Sequence, residues 1–171
     1  MRYRLTCFLL GIVFLGTGVP ALRGSETDPE ALIGRARAVL LTPNPPRDAI
    51  TKALSDALEA ALLILPETEY AAEFRTRIEG VKKSFDEGAL FSDKAYQDLL
   101  LAYKLTTGGK AWQIPAELKG PGSEKKGIEK AVEVCAKLLD SALAERKAGR
   151  DVSAVSHLLD FVLLVITPIE A

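Results

Sequence analysis

The chain has 171 residues, with 22 Lys and Arg against 23 Asp and Glu, one His, two Cys, one Trp and 48% hydrophobic side chains. That near-neutral balance excludes a nucleic-acid binder, which needs a concentrated cationic face. The length suits one ordinary domain with a real core.

Met1, Arg2, Tyr3 and Arg4 form a basic start, followed by the apolar run "LTCFLLGIVFLGTGV" and the small-residue exit Val19-Pro20-Ala21. This pattern predicts a secretory signal peptide over residues 1–21, cut after Ala21, and a single domain over 22–171. The rival is an uncleaved anchor, but Gly11, Gly16, Thr17 and Gly18 leave an apolar stretch short of the roughly 20 residues a span requires. Cys7 sits too early, with the wrong neighbours, for the acylated Cys of a bacterial lipoprotein. The expected location is exported, periplasmic or extracellular, with no membrane span after cleavage. Cleavage removes two Arg and no acid, leaving 20 basic and 23 acidic side chains and a formal charge of −3.

Asp28-Pro29-Glu30 supplies a cap, a first-turn Pro and a first-turn acid, which predicts a first helix over 29–42. Asn44 with Pro45 starts the second, whose stripe from Ile50 through Leu54, Leu58, Ala61 and Leu65 follows the 3.6-residue period. Pro66 ends it. Tyr70, Phe74, Ile78, Val81 and Phe85 then mark a third helix closed by Asp86-Glu87-Gly88, with Glu73 and Arg77 paired on its outer side. Ser92 caps a fourth, with Tyr96, Leu99, Leu100 and Tyr103 on its inner face and Gly108 as its stop. Ser123 opens a fifth reaching Ala148, in which Cys135 shares a stripe with Ile128, Val132, Leu138 and Leu139. Asp151 caps a sixth that runs to Thr167.

These segments, without period-two alternation, predict an all-α, antiparallel helical bundle of about six helical segments with a four-helix-bundle-like core. "AITKAL" at 49–54 and "GIEKAV" at 127–132 each open the second helix of a three-helix half, which is a weak sign of duplication. The last helix, "VSAVSHLLDFVLLVI", is apolar around most of its circumference. Two readings follow: a central helix buried on several sides, or a face that docks a protein partner or forms a homodimer.

The chemistry that is missing narrows the function. The mature chain has one His and no Met, and lacks Cys-x-x-Cys-His, paired Glu-x-x-His and His-Glu-x-x-His. Haem, di-iron and zinc-hydrolase sites are therefore not expected, and no cofactor or metal is assigned. Ser153, His157 and Asp160 fall on one face of one helix. Parallel side chains there do not converge on a substrate carbonyl, so a polar stripe is expected and not a catalytic triad. "TTGGKAW" departs from a phosphate-binding loop, since Lys104 and Ala111 stand where Gly and Ser or Thr are required. Cys135, the lone thiol after cleavage, reads as a small buried hydrophobe. No catalytic residue is assigned, and no carboxylate stands out.

The connection 108–122 is the longest run of turn-forming residues and holds the only Trp. Trp112, Ile114 and Leu118 are apolar residues that a solvated loop does not need, so the loop either plugs an open end of the bundle or forms a docking lip. Trp112, Tyr103 and Tyr96 are the candidate contacts for a ligand or partner. The expected function is an exported binding or interaction module for a protein partner or small ligand. The alternative is an enzyme whose site assembles from non-contiguous Arg, Tyr and carboxylate residues.

Overall fold

The computed structural model describes residues 28–90, 92–119 and 127–167. The expected leader and the Ser123 cap lie outside them. Six α-helices and one short 3-10 turn make up all regular structure among the described residues.

Helix α1, Pro29–Leu40, begins as expected: the Asp28 carboxylate accepts from the backbone N–H of Glu30 and Ala31, at 3.4 and 3.3 Å. Helix α2, Arg47–Ile64, starts later than Asn44. A residue before proline is driven out of the helical region, and both Asn44 and Pro45 precede one. Asn44 turns the chain in the left-handed region at φ 49°, and Pro46 holds the cap position with φ −65° and ψ 155°.

Helices α3, Ala71–Asp86, and α4, Asp93–Thr106, follow the expected stripes. Phe74, Ile78, Val81 and Phe85 are all buried. Arg77 pairs with Glu73 at 2.6 Å and reaches Asp98 of α4 at 3.1 Å, tying the two helices together. The Ser92 hydroxyl accepts from the Ala95 N–H at 3.2 Å. Gly108 and Gly109 stop α4 with φ of 65° and 89°, conformations that Cβ-bearing residues rarely adopt.

Helix α5, Gly127–Lys147, buries Val134, Cys135, Leu139 and Ala142. Ile128 departs from the expected stripe and is 82% exposed. Helix α6, Asp151–Ile166, is not capped by Asp151. The left-handed Gly149 places Arg150 at the cap, and Asp151 is the first helical residue, held at 2.7 Å by Arg146.

The helices form two layers of three. One layer runs α1, α2, α3 and the other α5, α6, α4, with α2 and α6 packed face to face at the centre. Two four-helix rings, α1–α2–α6–α5 and α2–α3–α4–α6, therefore share the α2–α6 contact. Short connections make α1–α2, α3–α4 and α5–α6 antiparallel pairs. The apolar circumference of α6 is explained by its three neighbours: nine of its residues, from Ala154 to Ile166, are buried. The "AITKAL" and "GIEKAV" segments lie in unlike positions, since α2 is central and α5 flanks. Among the described residues no helix is long and apolar enough to cross a membrane.

Candidate functional site

After Gly109 the chain turns back over the helices. Trp112 and Ile114 are half-buried and pack on the core, and Leu118, in the 3-10 turn Ala116–Leu118, is only 6% exposed. That turn rests on α5 and is closed by the Leu118 N–H donating to the Pro115 carbonyl at 3.0 Å. The loop thus lies across the bundle as a cover while the indole keeps partial access to water.

Beneath the cover lies a polar group that the sequence did not single out. Asp160 stands in the middle of α6 between buried Leu159 and Phe161, with its side chain 22% exposed. The Tyr103 hydroxyl, near the end of α4, and the Trp112 indole N–H lie toward its carboxylate and favour its charged form, without closing to the 3.5 Å of a formed hydrogen bond. Burial pushes the Asp160 carboxyl up to about 6, and the two donors hold it below where burial alone would take it. Burial, followed by the charge of Asp160, pushes the Tyr103 phenol up to about 12, so Tyr103 remains a donor at any physiological pH.

His157 lies one turn before Asp160, with Nδ1 3.8 Å from Oδ2. That distance is too long for a hydrogen bond, and Nδ1 is buried without a partner among the described residues. Burial lowers the His157 pKa, against the opposing pull of Glu145. Glu145 is itself held low, chiefly by the hydrogen bond it accepts from Arg150. His157 is therefore neutral at pH 7, and the contact with Asp160 is not an ion pair.

The structure brings two of the three sequence candidates together. Trp112 and Tyr103 converge on Asp160, whereas Tyr96 is half-buried on α4 two turns before Tyr103. Asp160 corrects the view that no carboxylate stands out; its signal was that it interrupts "HLLDFVLLVI", the most apolar run of the described chain. Ser153 is exposed and Asp160 faces Tyr103 and Trp112, so the Ser153, His157, Asp160 spacing makes no triad. In the loop, Ala111 and Gln113 are exposed while Trp112 and Ile114 are half-buried, an alternation over four residues that form no strand.

Two clefts lie away from this cluster. An open groove of about 760 Å³ runs between the start of α2 and the 85–90 segment, and an apolar recess of about 390 Å³ is lined by Ile50, Leu54, Leu90, Val165 and Ile166 with Arg47 at its edge. Neither is lined by Tyr103, Trp112, His157 or Asp160. Among the described residues no three His, Cys, Asp or Glu gather as a metal site would require. What the cluster can do chemically is hold one proton near neutrality and fix the position of an aromatic loop. No family model, no curated protein and no solved structure matches this chain.

Proposed function

We propose that this chain is an exported helical-bundle module that binds a partner protein through the face built around Trp112. The observation that carries the reading is the part-buried Asp160 carboxylate lying under the loop beside Tyr103 and Trp112. Burying an acid in an apolar helix costs stability, and an apolar side chain there would close the core at lower cost. A polar group kept at such a cost fits a role in setting the pose of Trp112, as functional sites depart from the best local choice. The docking face is assigned to the loop in preference to α6, because the apolar side chains of α6 are used inside the bundle. The enzyme alternative draws on the same grouping of Tyr103, His157 and Asp160, and the 760 and 390 Å³ clefts do not reach it.

The test is a photo-reactive amino acid placed at exposed Gln113, compared with one at exposed Glu79 on α3, in the full chain expressed in its native cells. A discrete adduct from position 113 and none from 79 is the expected result. Equal adducts from both positions, or none from 113, would remove the loop as the docking face.

A further inference from the structure

The segment between Gly109 and the 3-10 turn has the features of a strand without a neighbour. Its side chains alternate outward and inward from Ala111 to Ile114. Backbone hydrogen bonding stops with the Gly109 N–H donating to Lys104 at 2.8 Å and resumes with the Leu118 N–H. The N–H groups of Lys110, Ala111, Trp112, Gln113 and Ile114 have no acceptor among the described residues. In an extended segment successive N–H groups point to opposite edges, so Lys110, Trp112 and Ile114 offer donors on one edge and Ala111 and Gln113 on the other, while the inward side chains fix the register.

The exposed charge flanking this segment is mostly positive, while Asp160 lies on its inner side beneath Trp112. Lys104, Lys110 and Lys119 are exposed, and the ion pairs formed among the described residues include none of them. Glu117 is the only acid in residues 104–119, and its field falls on Lys137 of α5. A locally cationic edge thus sits on a chain whose formal charge is −1.

We infer that residues 110–114 form an open edge that accepts an extended, acidic segment of the partner protein by backbone pairing. The inference rests on the loop being the docking face. Unpaired N–H groups along an edge call for carbonyl acceptors, which an extended peptide supplies, and Lys104, Lys110 and Lys119 call for Asp or Glu along it. An anionic lipid surface fits less well. The outward residues of the segment are Lys110, Ala111 and Gln113, none of which is a large apolar group that could enter the acyl boundary.

The experiment is fluorescence anisotropy of the purified full chain with a labelled peptide alternating Glu and Thr, against a matched peptide alternating Lys and Thr. The acidic peptide binds, more tightly at low salt, and the basic one does not. Reversing Lys104, Lys110 and Lys119 together to Glu weakens binding about tenfold or more, whereas Lys94→Glu at the far end of α4 leaves it unchanged. Gln113→Pro, which deletes one free N–H, also weakens binding, with circular dichroism confirming the helical fold. Failure of the acidic peptide to bind, equal binding of both peptides, indifference to the triple reversal, or binding only to phosphatidylserine vesicles would each overturn the inference. If position 113 still cross-links while the acidic peptide fails, the docking face stands and the acidic strand falls.

Discussion

Trp112, in the connection after α4, lies beside the carboxylate of Asp160, in the middle of α6, and its indole N–H favours the charged form. One contact therefore ties the least regular part of the described chain to its most deeply buried helix. Because Trp112 is the only Trp, the contact carries its own optical probe.

Emission from the folded protein is expected to be blue-shifted relative to the unfolded chain and partly quenched by iodide, since the indole is half-buried. Trp112→Ala should cost about 2–4 kcal/mol, somewhat under the full cost of a wholly buried aromatic. Unfolded-like, fully quenchable emission from a folded sample would contradict the cover seen here.

The pH dependence follows from the raised carboxyl. Asp160 goes from an ordinary 3.8 to about 6 on folding, so between those values the native state binds more protons than the unfolded one. Stability then falls as pH rises from about 4 to about 6, by on the order of 3 kcal/mol, and stays lower above that. His157 acts in the opposite sense: its lowered pKa takes stability away as pH falls below its ordinary 6.5. Asp160→Asn should remove the first effect and stabilise the protein by about 1–3 kcal/mol at pH 8. Denaturant melts across pH check both, and a less stable Asn variant at pH 8 would refute the sign.

Trp112→Phe keeps most of the ring and deletes the donor. The carboxylate then loses the pull of the indole N–H on its charged form, which should cost up to about 1 kcal/mol at pH 8 and less at pH 4, where Asp160 is protonated. A pH-independent cost, measured by paired melts, would mean that the indole N–H does not act on Asp160.

Phe161, 1% exposed on α6, and Ile128, 82% exposed on α5, make a contrasting pair. Phe161→Ala should cost about 3–5 kcal/mol, and Ile128→Ala should stay within about 0.5 kcal/mol. Thermal or urea melts of the two variants test whether α6 is the centre of the bundle.

The proposed export makes a chemical prediction at the N-terminus. Mass spectrometry of the protein recovered from native cells should find a chain beginning at Leu22. Recovery of a chain that retains Met1 to Ala21 would favour an uncleaved anchor.

Much of the architecture was legible because helices announce themselves locally. The Phe74, Ile78, Val81, Phe85 stripe, the Asp28 and Ser92 caps and the Gly108 stop each depend on residues within a few positions of one another. The same local logic misplaced the start of α2, where two prolines outweigh the Asn44 signal, and the Asp151 cap, where Gly149 shifts the turn by one residue. Trp112 could be flagged from sequence as an aromatic in a loop, and its partner could not. Asp160 reads in one dimension as a polar interruption, and only the packing of α4 and the loop against α6 surrounds it with Tyr103 and Trp112. Helices and most of their inward faces follow from local residue order, since periodicity and capping act over a single turn. The tertiary structure alone decided that α6 lies at the centre, that Ile128 faces water and that Asp160 meets Trp112, because each depends on which distant surfaces exclude solvent together.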